Sequence, residues 1–285
     1  DWYGKPTDAP KPTDAPAPTD TAAPVKLPEV APGVPGVARE DTMIVTFSQS
    51  GAALAVNQNV GYMTSQEGNA CMLEPLYFFN PHDGKTPLVP WLADGPYVYN
   101  PEYTEVKVNL KKGITWSDGT PLTADDVKFT FELGQKYAAM WFSPVWKYLS
   151  EVNAVDATHV QFKFAGDVLY QEFDNHLFNI PIVPKHIWES KSEEDITVGV
   201  NEKPVGSGAY MYLANAEDRN IWIRNEKWWG AEVFGVPAPK YIVDIRTSSN
   251  NVALGMVLKG EIDLSNNFLP GVATLADQGY VKTYF

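Results

Sequence analysis

Cysteine occurs once in 285 residues, at Cys71, so no intrachain disulfide can form, and the lone thiol reads as a small core residue. The four histidines, His82, His159, His176 and His186, are scattered. Neither His-Glu-x-x-His nor a pair of cysteines occurs, so the spacing offers no metal site. A Walker Gly-x-x-x-x-Gly-Lys-Ser/Thr run is also missing, which removes nucleotide binding of that type. Gly206-Ser207-Gly208 lacks the Gly-x-Ser-x-Gly spacing that lifts a serine onto a nucleophile elbow. Basic residues are scarce: 22 Lys and Arg stand against 35 Asp and Glu, and the net charge of −13 argues against a nucleic-acid groove or a polybasic membrane surface. No run of about 18 apolar residues is present, so no segment can span a bilayer as a helix. The residues point to no catalytic constellation, metal or cofactor, and the chain is not read as an enzyme.

Hydrophobic residues make up 44% of the chain and aromatics 13%, enough for a folded core of ordinary size. The first 40 residues differ in texture. They hold nine of the 23 prolines and repeat Lys-Pro-Thr-Asp-Ala-Pro at 5–10 and 11–16. Proline fixes φ and lacks the amide donor, so residues 1–40 read as an extended, disordered spacer or tether. Threonine beside proline there also suits O-glycosylation. The chain starts at Asp1, which suits a processed product from which a signal peptide has been removed.

From Asp41 onward, strand and helix signals interleave, and the fold class is α/β or mixed α+β rather than all-β. Residues 42–47 read as a strand. Val106, Val108 and Leu110 alternate with Lys107, Asn109 and Lys111, the period of two of a half-buried strand. Asp118-Gly119 follows as a turn. Thr123 stands at a helix N-cap with Asp126 in the reciprocal position, which predicts a helix from about Ala124 and gives Asp118, Asp125 and Asp126 turn and cap roles. Val160, Phe162 and Phe164 alternate again, and 217–224 and 241–247 look like strands. Residues 180–188 form a proline-bounded connector into a helix. Val252, Gly255, Met256 and Lys259 fall at helical spacing, with Gly260 placed to end that helix in the left-handed conformation.

Residues 110–127 read Leu-Lys-Lys-Gly-Ile-Thr-Trp-Ser-Asp-Gly-Thr-Pro-Leu-Thr-Ala-Asp-Asp-Val. Around them, in order, stand Glu74-Pro75-Leu76, Leu88-Val89-Pro90-Trp91-Leu92-Ala93, Pro204-Val205-Gly206-Ser207-Gly208-Ala209-Tyr210, Arg224-Asn225-Glu226-Lys227-Trp228-Trp229-Gly230 and Gly260-Glu261-Ile262-Asp263-Leu264. This series resembles the oligopeptide- and dipeptide-binding family of ABC-transporter receptors, extracellular solute-binding family 5. The resemblance implies a type II periplasmic-binding-protein-like fold. On that footing residues 41–285 correspond to lobe I, with an inserted subdomain at about 75–190, and the second lobe is largely missing. It also implies a monomeric, extracytoplasmic receptor that takes up an oligopeptide or oligosaccharide between two lobes and delivers it to ABC permease subunits. Many such receptors are lipid-anchored through an N-terminal cysteine, which this sequence does not contain.

By the same resemblance the ligand-binding residues of lobe I are Ser48, Ser50, Gly51, Tyr77, Asn266, Asn267 and Phe268. Trp141 and Trp146 join them on a different ground, because residues 138–146 form a loop dense in aromatics, whose flat faces suit sugar rings. Trp116, Trp188, Trp222, Trp228 and Trp229 read as packing residues. A secreted carbohydrate-active enzyme or carbohydrate-binding module on a Pro/Thr linker is the rival reading, and the interleaved helices count against a small all-β module. A chain that holds one lobe does not close on a ligand. A tight, stoichiometric binding isotherm for residues 1–285 would contradict that expectation.

Overall fold

The computed structural model of the chain describes residues 37–46, 69–80, 88–166, 170–197, 199, 201, 203–216, 219–265, 269–279 and 281–282. It has the mixed α/β class expected, built on two main sheets. The chain enters through strand β1 (Thr42–Thr46), where β-branched residues suit a strand covered on both faces and only Met43 is part-exposed. Arg39, which composition assigns to the spacer, is only 5% exposed. It donates to the Thr42 carbonyl and to Asp263 Oδ1, and so belongs to the fold.

Helix α1 (Asn69–Met72) and the antiparallel ribbon of β2 (Tyr77–Phe79) and β3 (Leu88–Pro90) come next. The second sheet follows, from β4 (Val98–Tyr99) and β5 (Glu105–Asn109) through helix α2 (Ala124–Lys136) to β6 (Leu149–Ala154) and β7 (His159–Phe164). Its order is β4-β5-β7-β6, antiparallel throughout. The alternation read from the sequence holds, since Val106, Val108, Val160 and Phe162 turn inward while their neighbours face out. Helix α2 starts at Ala124, as the cap predicts. Asp126 Oδ2 accepts the Thr123 amide at 2.8 Å and its Oδ1 accepts the Lys185 amide at 2.9 Å, so the capping carboxylate also pins the start of a second helix. Asp118, in the turn, takes a 2.8 Å contact from His186 Nε2. Burial pushes its carboxyl up, but the bonds from His186 and Thr120 outweigh that and leave it below the ordinary value.

After α3 (Tyr170–Asn179), α4 (Lys185–Trp188) and α5 (Glu193–Thr197), the chain returns to the first sheet as β8 (Tyr210–Ala216) and β9 (Arg219–Arg224). Helix α6 (Ala231–Phe234), β10 (Tyr241–Ile245), α7 (Asn250–Leu258), β11 (Leu264–Ser265) and α8 (Val272–Asp277) complete it. The sheet order is β11-β1-β10-β9-β8, with β1 parallel to both β10 and β11. Gly260 has φ 72°, the left-handed conformation expected after α7. Asp263, in the turn before β11, bonds Arg39 at 2.6 Å and accepts the Ile44 amide at 2.7 Å, which locks β11 onto β1.

Gly134 sits inside α2, where glycine costs helix stability. A Cβ built there would lie 2.7 Å from the ring of buried Phe142, so the residue is needed for close approach of the loop that follows the helix. Gly134→Ala gains about 1 kcal/mol of helix propensity. It nonetheless lowers urea-unfolding stability by about 1–2 kcal/mol, because Phe142 must leave its seat.

Candidate functional site

Three parallel strands, β1, β10 and β11, finish side by side at one edge of the first sheet, with Val45 beside Asp244 and Leu264. In open α/β sheets the crevice outside such carboxyl ends is where ligands bind. One face of this sheet carries Ile242 and Trp222 across from Met43, then Val45, Asp244 and Asn220 across one row, so it turns from apolar to polar toward that edge. Asp244, Asn220 and Thr247 are buried polar residues. The guanidinium nitrogens of Arg246 are buried there too. A carboxylate, a guanidinium, an amide and a hydroxyl at one strand edge are equipped to hydrogen-bond a polar solute.

A second constellation sits where the β2–β3 ribbon meets the segment after β9. Glu74 is 2% exposed. Its Oε1 accepts Trp91 Nε1 at 2.9 Å and Trp228 Nε1 at 3.0 Å, and its Oε2 accepts Trp229 Nε1 at 2.8 Å. Burial lifts its carboxyl above the ordinary 4.5, while the indole donors oppose the shift. Phe234 stacks on Trp91, with centroids 4.4 Å apart. Lys111 donates to the carbonyls of Pro90, Trp91 and Ala93 and lies 5.7 Å from the centre of the Trp229 ring. Burial pushes its ammonium down, and the Asp94 and Glu74 charges pull it back up.

Residues 87–285 match the model of the bacterial extracellular solute-binding proteins, family 5, middle region. The chain belongs to that family. A periplasmic oligopeptide-binding protein of an oligopeptide ABC transporter from Thermotoga maritima is similar at 41% identity and TM-score 0.77, over 87% of this chain and 45% of that one. A mannohexaose-bound structure of that protein is 42% identical over 84% of this chain and 44% of its own, at TM-score 0.76. The curated peptidoglycan-binding protein YepA of Agrobacterium fabrum is 31% identical over 139 residues, 48% of this chain and 22% of its own length. This family 5 chain thus spans less than half of the solved relatives and under a quarter of that curated one.

Of the ligand-binding residues expected from sequence, Ser48, Ser50, Gly51, Asn266, Asn267 and Phe268 lie outside the described residues, following β1 and β11 in the chain. Tyr77 is 1% exposed; its hydroxyl donates to the Gly95 carbonyl at 3.2 Å and its ring meets Tyr97 edge-on, so all its described contacts are internal. Trp141 and Trp146 are half-buried on a loop that packs on α2 and β6, elements of the second sheet's layer. No described contact joins that loop to the strand edges. Asp244, Asn220, Arg246 and Thr247 went unnoticed in the sequence. The signal present was a polar residue, Asp244, interrupting an otherwise apolar strand.

Cys71 is half-buried and its thiol is pushed up to about 11 by burial, as suits a packing residue. Glu74→Gln leaves one carbonyl oxygen and an amide that confronts indole donors, and lowers stability by about 2 kcal/mol in denaturant unfolding. The pH dependence has a definite sign. Because the native pKa of Glu74 is raised, its proton-linked stability is full below the unfolded value and lost as pH rises through the native value. Unfolding curves across that window decline less with rising pH in Glu74→Gln than in the parent chain.

Proposed function

We propose that this chain is the first lobe of an extracytoplasmic receptor for an ABC importer, and that its solute is an oligosaccharide held against the carboxyl edges of β1, β10 and β11. The observation that carries the solute class is the 42% identity, over 84% of this chain, to a protein crystallised with mannohexaose. The strand edge has suitable chemistry: the buried polar row of Asp244 and Asn220, with Arg246 and Thr247 just beyond, can bond sugar hydroxyls as donor or acceptor. Ser48, Ser50, Gly51, Asn266, Asn267 and Phe268 border that edge in the chain and are proposed as its remaining contacts, while Tyr77 packs in the core of the second sheet. Closure of the polypeptide that faces this edge in a whole receptor desolvates the solute, and the closed form is what a permease accepts.

A peptide solute is the second reading. It is favoured by the oligopeptide-binding description of the same Thermotoga relative.

The two are separated by thermal unfolding of the whole receptor with mannohexaose or with a hexapeptide. At about 100 times Kd the true ligand raises Tm by about 5 °C. A shift with mannohexaose and none with the peptide is expected. A shift with the peptide alone reassigns the solute, and no shift with either sinks both.

A further inference from the structure

We propose that the loop after α2 forms a second site, apart from the strand edges, that holds a sugar ring between Trp141 and Trp146. Met140, Trp141, Ser143, Pro144, Trp146 and Lys147 line an open cavity of about 530 Å³, within the range of small-molecule sites. The oligosaccharide class is taken from the function proposed above; the place is new.

Both indoles pack one side against the core and are held on a fixed backbone. Phe142 and Val145 are fully buried, and Phe142 occupies the space left by the missing Cβ of Gly134. Residues Ser143–Lys147 form a 3₁₀ turn with Pro144 at its start, which fixes the backbone between the two tryptophans. Trp146 Nε1 donates to the Phe131 carbonyl at 2.7 Å, so that ring is anchored by its polar edge. Yet Trp141 and Trp146 remain half-buried while smaller neighbours fill the core.

The chemistry of the lining selects the occupant. Indole faces suit the C–H face of a pyranose. Trp141 Nε1 is buried with no acceptor among the described residues, an unfavourable state for a donor. Ser143 and exposed Lys147 add donors at the rim, and no acidic or amide side chain lines the cavity to receive peptide N–H groups.

The test is a titration of the 285-residue chain with mannohexaose, followed on the indole N–H resonances. Trp141→Phe and Trp146→Phe assign the two signals. Both are expected to move saturably, while the three indoles bonded to Glu74 stay in place. Trp141→Phe, read on Trp146, raises the half-saturating concentration about tenfold, the loss of one ring contact. Lys147→Ala, at an exposed position, gives a smaller increase with the Glu74-bonded signals unchanged. No movement of Trp141 and Trp146, or equal movement with hexa-alanine, overturns the site. That failure is distinct from failure of the receptor, which is read on the Tm of the whole protein carrying Trp141→Phe and Trp146→Phe.

Discussion

A carboxylate at Glu74 is removed from water and returned three indole N–H donors. Desolvating a carboxylate is expensive, and neutral donors repay it only when several converge with good geometry. Here three converge, at 2.8 to 3.0 Å, and offset part of the cost, since burial still holds the carboxyl above its ordinary value. Trp91 comes from the end of the β2–β3 ribbon, while Trp228 and Trp229 follow β9 of the first sheet. One side chain therefore joins segments more than 150 residues apart in sequence. The aromatic rings it orients meet each other tilted or edge-on, and Phe234 stacks on Trp91 and Trp228. Lys111 caps the carbonyls of the same Trp91 segment, so the string that begins at Leu110 is tied to the cluster as well.

The same economy recurs at two other acidic residues. Asp126 closes the N-terminus of α2 and also takes the first amide of α4. Asp263 takes a guanidinium and a β1 amide, which sets the register of the edge strand β11. Asp118 and Asp126, two of the aspartates that could pass for a catalytic cluster in sequence, accept backbone amides in a turn and a cap. The carboxyl edge of the parallel strands, with its buried polar row, is where we propose that a solute meets the scaffold. A rigid sheet presents loops and polar ends to a partner surface, which is why the proposal is placed there.

The two proposed sugar contacts differ in kind. At the strand edge the groups are polar and buried, and a ligand there is enclosed by closure. On the Trp141 loop the groups are flat, apolar and open, and a ring there is held from one side.

Much of the fold was legible in local pattern. Period-two alternation located β5 and β7 because each has one wet face. The Thr123 and Asp126 pair located the start of α2, and Gly260 located the end of α7, because these effects act within one turn of the chain. The ordered motifs were legible as a family resemblance, but their physical meaning was not. Nothing local reveals that Glu74, Trp91, Trp228 and Trp229 share one set of hydrogen bonds, or that Asp244 and Asn220 are opposed across β10 and β9. Nor does spacing tell a buried Tyr77 from a half-open Trp141. By itself the sequence determined β5, β7, the start of α2, the end of α7 and the family, since these rest on residue type and on neighbours a few positions away. Only the tertiary structure decided which polar side chains are buried together and which aromatic faces remain open, because both are set by segments that meet after long, variable stretches of chain.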